Sequence, residues 1–137
     1  MIPTVTLNDG TTIPQLGFGT FQVPPEETAA TVGTALEVGY RHIDTAQGYQ
    51  NEEGVGRAIA ESGIDRDEIY VTSKLTNSMH ERDDALRSFD ETMDRLGLDR
   101  LDLFLIHWPL PTRYDGDFVS TWKVMLELVE SGRGTSA

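Results

Sequence analysis

Three strand-like segments of this chain recur at the interval of a βα repeat, and each leads into a titratable side chain. The side chains are Asp44, Lys74 and His107, which lie 30 and 33 residues apart. Such intervals match one strand, one crossover helix and the next parallel strand. Because the carboxyl ends of parallel strands share one edge of a barrel, we expect the three groups to meet at a common rim. The segments that precede them are residues 40–43, 69–73 and 103–106.

The rest of the chain fits a hairpin followed by four βα units. An Asn-Asp-Gly turn at residues 8–10, between β-prone runs, predicts an N-terminal hairpin over residues 3–16. The βα units then occupy residues 16–133. The chain has 137 residues, against roughly 250 for an eight-unit barrel. We therefore expect an α/β fold, the N-terminal half of a (β/α)8 TIM barrel, as a single partial domain over residues 1–137.

Glycine, proline and capping signals set the expected helices. The third helix should start at a capping box formed by Ser78 and Glu81. The apolar spacing of the fourth predicts that four of its side chains face the core, namely Trp122, Met125, Leu126 and Val129. The closing run, residues 132–137, does not resemble a strand. The helices are expected over residues 24–39, 52–61, 78–97 and 118–129.

Composition argues against several classes of partner. The net charge is −12, so nucleic acid and anionic membrane surfaces are not expected, since phosphate binding needs clustered lysine and arginine. No segment approaches the roughly 20 apolar residues of a membrane span. The chain contains no cysteine, which fits a reducing compartment, and we expect a cytoplasmic protein that acts on a small molecule. Acidic side chains such as Glu52 and Asp83 are expected on the solvated surface.

Tyr49, five residues beyond Asp44, adds a phenol to the expected rim. A phenol ordinarily titrates near 10, so it donates its proton at neutral pH only if the phenolate is stabilised. An ammonium such as that of Lys74, about 4 Å away at an effective dielectric near 20, supplies about 4 kcal/mol toward this. Asp44 would keep the ammonium charged, and His107 would orient a carbonyl or stabilise its developing negative oxygen. This set suits carbonyl reduction when a hydride donor is present.

Five motifs are spread along the chain. They are Gly-Phe-Gly-Thr-Phe at 17–21, Gly-Tyr-Arg-His-Ile-Asp-Thr-Ala at 39–46, Tyr49 with Asn-Glu at 51–52 and Gly54, Thr-Ser-Lys-Leu at 72–75, and the run from Leu-Asp-Leu at 101–103 to His-Trp-Pro at 107–109. Taken together, these motifs resemble the aldo-keto reductases, and the resemblance runs from about residue 3 to residue 133. Within that family the chain is similar to bacterial 2,5-diketo-D-gluconate reductases, which use NADPH to reduce aldehydes and ketones.

The resemblance implies a role for particular residues. Tyr49 would be the general acid, and NADPH the cofactor, although the sequence itself does not separate NADPH from NADH. Relatives of this type commonly carry a tryptophan where Thr76 stands, which leaves the carbonyl substrate open. The implied catalytic residues are Asp44, Tyr49, Lys74 and His107; the cofactor contacts are Gly19, Thr20, Phe21 and Asp44; the substrate contacts are Phe21, Tyr49, His107 and Trp108.

Two other classes stay open. The first is a catalytically inert half-barrel fragment or assembly module that lacks the cofactor-binding half. An open parallel sheet leaves unpaired edges and predicts self-association. The second is a metal-dependent hydrolase that uses His42 and Asp44, but no second His-x-His accompanies them, so His42 is expected to fill the barrel interior and no metal is expected. His80 is expected on the surface, in the first turn of a helix.

Overall fold

The computed structural model describes all residues from Met1 to Ala137, and its chain opens with a hairpin. Strands β1 (Thr4–Thr6) and β2 (Thr12–Pro14) pair antiparallel, with Val5 opposite Ile13. The turn between them needs Gly10, whose φ is +86°. This is the hairpin that the Asn-Asp-Gly signal predicts.

A five-stranded parallel sheet forms the centre of the structure, and its strand order follows the chain order. Each crossover contains a helix, and successive helices pack against one another from α1 to α4. This is the architecture of half of a (β/α)8 barrel, as expected. The strands are β3 (Phe18–Gly19), β4 (His42–Asp44), β5 (Tyr70–Leu75), β6 (Leu101–Ile106) and β7 (Gly134–Ser136). The helices are α1 (Pro25–Glu37), α2 (Glu52–Glu61), α3 (Arg82–Leu96) and α4 (Phe118–Glu130).

The hydrophobic core lies between the sheet and the helices. Strand residues alternate between the two faces of the sheet, so Ile43 and Val71 are fully buried against the helices, whereas His42 and Asp44 belong to the opposite, interior face of the barrel. Phe89 of α3 meets the edge of Phe104 of β6, at 5.1 Å between ring centroids. The site residues are therefore carried on strands whose other face is firmly packed. None of the helices is long and apolar enough to cross a membrane.

The approach of α2 to α3 depends on one glycine. A Cβ atom at Gly56 would lie 2.2 Å from the carbonyl oxygen of Leu96, a distance that real contacts do not reach. Only glycine fits there without displacing the α3 backbone. Because α2 follows directly on the turn that carries Tyr49, this contact also fixes the far end of that turn.

The expectation that the closing residues form no strand is wrong. Residues Gly134–Ser136 form β7, which pairs parallel with β6 and places Gly134 opposite Leu101. The backbone N–H of Leu101 also donates to the carbonyl of Arg133 at 3.2 Å. Gly-Thr-Ser offers no apolar alternation, so the deciding factor is the open edge of β6, which sequence periodicity does not report.

The third helix does not start at the expected capping box. Helix α3 begins at Arg82, and its N-cap, Glu81, makes no side-chain cap hydrogen bond. Residues 76–81 instead form a loop that buries His80, whose imidazole stacks on Tyr114 at 5.1 Å between ring centroids. The expected surface position of His80 is therefore wrong, because a loop residue can turn inward where a residue in an exposed first turn cannot.

The inward face of α4 agrees with expectation at Met125 but not at Trp122 and Leu126. Trp122 and Leu126 are 44% and 41% exposed, whereas Val124, Met125 and Leu128 are buried. The apolar residues of this helix cover more than one face, so their spacing alone does not select the buried one. Within the chain, α4 packs on α3, β6 and β7.

Candidate active site

A charge pair between Lys74 and Asp44 forms the centre of the site. The Lys74 Nζ donates to Asp44 Oδ1 at 2.9 Å, to Asp44 Oδ2 at 2.8 Å and to the backbone carbonyl of Thr45 at 2.8 Å. The Lys74 side chain is only 13% exposed. All three ammonium protons are therefore used, and the cation is held in one position.

The pairing of neighbouring strands explains this arrangement. In the β4–β5 register Asp44 lies opposite Thr72, so Lys74 lies one inward-facing position further toward the carboxyl end of β5. His107 follows the end of β6, and its backbone N–H donates to the Leu75 carbonyl at 3.3 Å. Three neighbouring strands thus deliver a carboxylate, an ammonium and an imidazole to one rim, as the βα spacing predicts.

The ring of Tyr49 lies near both the charge pair and the imidazole. Tyr49 ends a short 3-10 turn, Gln47–Tyr49, that follows β4. The Lys74 Nζ lies 5.1 Å from the centroid of the Tyr49 ring, and the His107 ring meets that ring edge to face at 5.7 Å. Phe21 packs on Tyr49 at 5.2 Å. The structure therefore brings all four expected catalytic side chains together.

The imidazole of His107 favours its neutral form. Burial lowers the pKa of His107 below its ordinary value, and the nearby Lys74 cation lowers it further, while Asp44 acts in the opposite direction. A neutral imidazole at neutral pH has one N–H to donate and no charge to compete with Lys74. Such a group is suited to orienting a carbonyl oxygen.

Among the residues expected to contact cofactor and substrate, Phe21, Trp108 and Gly19 are accessible, whereas Thr20 is buried. Phe21 and Trp108 are 65% and 60% exposed, and both follow strand ends at the rim that carries the charge pair. A Cβ atom at Gly19 would meet nothing within 4 Å, so the backbone there is open to close approach. Thr20 is fully buried, and its hydroxyl lies 3.0 Å from that of Thr45.

Sequence reasoning did not assign a role to several polar residues behind the site. Gln47 and Asn51 are buried on either side of Tyr49. Glu52 is 2% exposed and accepts a hydrogen bond from Ser73 at 2.6 Å, so its expected position on the solvated surface is wrong. The available signal was the Asn-Glu pair at 51–52, which the family resemblance includes without a role.

His42 and Asp44, the two ligands of the metal-site alternative, each contact other side chains in the structure. His42 Nε2 lies 2.9 Å from Thr72 Oγ1, and its ring meets the edge of Tyr70 at 5.2 Å. Both carboxylate oxygens of Asp44 accept hydrogen bonds from Lys74. No group of three or more histidine, cysteine, aspartate or glutamate side chains is placed to hold a metal ion.

Comparison with known proteins identifies the family. The model of the aldo/keto reductase family matches residues 15–134, and the chain belongs to that family. An aldo-keto reductase of Mycobacterium sp. (strain KMS) is 53% identical over 131 residues, which cover 96% of this chain and 47% of that protein. The 2,5-diketo-D-gluconic acid reductase B of Corynebacterium sp. (strain SHS752001) is 44% identical, with the same coverage of 96% and 47%.

The fold comparison agrees. The crystal structure of a Bombyx mori aldo-keto reductase in complex with NADP superposes with a TM-score of 0.89 at 40% identity, covering 97% of this chain and 48% of that one. The chain thus spans about half the length of the relatives that it matches. This agrees with the half-barrel architecture described above.

Proposed function

We propose that this chain carries the proton-transfer site of an NADPH-dependent oxidoreductase that reduces aldehydes or ketones to alcohols, with Tyr49 as the general acid. The observation that carries the proposal is the placement of the Lys74 ammonium. It is fixed by Asp44 and lies 5.1 Å from the centroid of the Tyr49 ring, and His107 contacts the same ring. Membership of the aldo/keto reductase family supports the same chemistry.

The roles of the side chains follow from their charges. Tyr49 donates its phenolic proton to the carbonyl oxygen, and Lys74 stabilises the phenolate that remains. Asp44 keeps the ammonium fixed and charged, and His107 donates a hydrogen bond to the carbonyl oxygen. A bound reduced nicotinamide cofactor supplies the hydride that the carbonyl carbon gains. The product is an alcohol, and the phenolate regains a proton from water.

The residues present fit one end of such a cofactor. The open backbone at Gly19 permits a flat ring to approach closely, and the exposed faces of Phe21 and Trp108 offer apolar contact beside it. Lys74 is not free to bind a phosphate, because Asp44 and the Thr45 carbonyl occupy its three protons. We therefore assign Gly19, Thr20 and Phe21 to the nicotinamide end, with Thr20 acting through its position in the backbone.

Replacement of the phenol tests the proposal. We expect Tyr49→Phe to reduce NADPH-dependent turnover of an aldehyde by about 10²–10⁴-fold, the usual contribution of a general acid. Tyr40→Phe is the matched control. The ring of Tyr40 packs on Phe18, so removal of its hydroxyl should leave turnover unchanged. Turnover by Tyr49→Phe within threefold of the wild-type rate would contradict the role of the phenol.

A second candidate function, an inert assembly module, is favoured by the surface of α4. Four large apolar side chains within nine residues are at least 41% exposed there, and β3 and β7 leave both edges of the sheet unpaired. Such surfaces drive association of a second copy. The apolar side chains are Phe118, Val119, Trp122 and Leu126.

Sedimentation separates the two candidates. If the module associates through α4, the double variant Trp122→Glu/Leu126→Lys shifts the chain from oligomer to monomer without loss of helical circular dichroism. Lys123→Glu, at an exposed polar position between them, is the control and leaves the oligomer intact. A wild-type chain that sediments as a monomer at all concentrations would contradict association, and absence of aldehyde turnover in the wild type would favour the module.

A further inference from the structure

The turn that carries Tyr49 has little internal support. It is a three-residue 3-10 turn in which the Tyr49 N–H donates to the Ala46 carbonyl at 3.1 Å and the Gln50 N–H donates to the Gln47 carbonyl at 3.3 Å. Gln50 closes it in a left-handed conformation, with φ of 58°. Turns of this kind have weak hydrogen-bond geometry and do not hold a side chain rigidly alone.

One end of the turn is held by the side chain of Gln47, which is 8% exposed. Its oxygen accepts from the Thr76 N–H at 2.8 Å, just beyond the strand that carries Lys74. Its amide nitrogen donates to the Ser88 carbonyl and to the Thr92 hydroxyl, both in α3 and both at 3.0 Å. Gln47 therefore ties the start of the turn to the end of β5 and to α3.

The other end is held by Asn51, which is 1% exposed. Its amide nitrogen donates to the Thr20 carbonyl at 2.8 Å and to the Val23 carbonyl at 3.1 Å, on both sides of Phe21. Its oxygen accepts from the Thr45 hydroxyl at 3.1 Å, next to Asp44. Asn51 therefore ties the end of the turn to the segments that carry two other site residues.

A carboxylate continues the connection. The Thr92 hydroxyl that accepts from Gln47 lies 3.2 Å from Glu52 Oε1, and that oxygen accepts from the Ser73 hydroxyl, one residue before Lys74. Buried polar networks of this kind polarise one another when every member is satisfied. The partners flank Phe21, Asp44 and Lys74, so the network connects the Tyr49 turn to the backbones that carry the rest of the site.

We infer that Gln47 and Asn51 are positioning residues that hold the Tyr49 ring beside Lys74 and His107. This rests on the proposed function for its catalytic meaning, but the geometric claim concerns the chain without substrate or cofactor. Gln47 anchors the start of the turn to α3 and to the backbone just beyond Lys74, and Asn51 anchors its end to the segments that carry Phe21 and Asp44. Loss of either amide should release the ring of Tyr49 while the barrel core persists.

The test uses NMR of the full chain carrying ring-labelled tyrosine, of which it has four. In the wild type we expect contacts between the Tyr49 ring and both Phe21 and His107, because the ring centroids lie 5.2 and 5.7 Å apart. In the isosteric variants Gln47→Glu and Asn51→Asp, which lose the donated hydrogen bonds, both contacts should fall at least twofold. The contact between Tyr40 and Phe18 should stay.

A matched control separates positioning from general destabilisation. Asp102 is a buried acid that accepts from the Val71 N–H and from Arg66 at the opposite end of the strands. Asp102→Asn should lower the free energy of unfolding and leave the Tyr49 contacts intact. If Asn51→Asp does not fold, Thr45→Val, which removes one hydrogen bond to Asn51, takes its place.

Two results would overturn the inference. The first is retention of both Tyr49 contacts in the Gln47 and Asn51 variants. The second is an equal loss of those contacts in Asp102→Asn. Neither readout involves turnover, so failure here is distinct from failure of the proposed reductase function, which Tyr49→Phe tests separately.

Discussion

The strongest physical prediction concerns the coupling between Lys74 and Asp44. Their closest charged atoms lie 2.8 Å apart. Two unit charges at that distance attract by about 6 kcal/mol at an effective dielectric near 20. The Asp44 side chain is 35% exposed, and solvent screening reduces this attraction by more than half. We therefore expect a coupling free energy of about 2 kcal/mol between the two side chains.

A double-mutant cycle measures this coupling. The free energy of unfolding is determined in urea for the wild type, Lys74→Met, Asp44→Asn and the double variant. Each single variant leaves a partly buried polar group without its partner, so each should be clearly destabilised, and the double variant should lose less than the sum. Circular dichroism and tryptophan fluorescence both follow the transition.

The reference cycle uses the surface ion pair between Arg82 and Glu127, whose side chains are 59% and 42% exposed. Its closest charged atoms lie 2.7 Å apart, against 2.8 Å for Lys74 and Asp44, so distance alone would give nearly the same coupling free energy. We expect a much smaller value, because exposed pairs are screened. A Lys74–Asp44 coupling no larger than that of the surface pair would refute the view that a fixed, partly buried cation organises the site.

Two further predictions concern packing and pH. Gly56→Ala should lower the free energy of unfolding by about 1–3 kcal/mol, since the new methyl group would overlap the α3 backbone. Gly33→Ala, where a Cβ atom meets nothing within 4 Å, should instead raise it by about 0.5–1 kcal/mol. Urea denaturation compares the two variants. Burial lowers the pKa of His42, His80 and His107, so the unfolded chain binds protons first as the pH falls through about 6.5, and stability should drop from pH 7 to 5.5. His80→Gln should weaken that drop, and an unchanged pH dependence would contradict the assigned cause.

The sequence predicted the site better than its surroundings. The positions of Asp44, Lys74 and His107 follow from strand periodicity, because parallel pairing places successive strand ends at one rim whatever the loops do. For Tyr49 the sequence predicted only a loop position near that rim, not the contacts of its ring with Lys74 and His107. What fixes it is the hydrogen bonding of Gln47 and Asn51, and tertiary partners of that kind leave no periodic signal.

The errors share a physical cause. Strand β7 exists because β6 offers a free edge, although residues 134–136 show no apolar alternation. Glu52 is buried because Ser73, Thr92 and Arg95 satisfy its carboxylate, which composition alone cannot reveal. In each case the decisive partner comes from a part of the chain distant in sequence.

Titration of the purified chain with NADPH, followed by nicotinamide fluorescence, tests the central claim most directly. We predict saturable binding with a dissociation constant on the order of micromolar, equivalent to about 8 kcal/mol, for both the wild type and Tyr49→Phe, with aldehyde turnover confined to the wild type. Absence of binding by the wild-type chain, or equal turnover by the two proteins, would contradict the assignment of this rim as a carbonyl-reducing site.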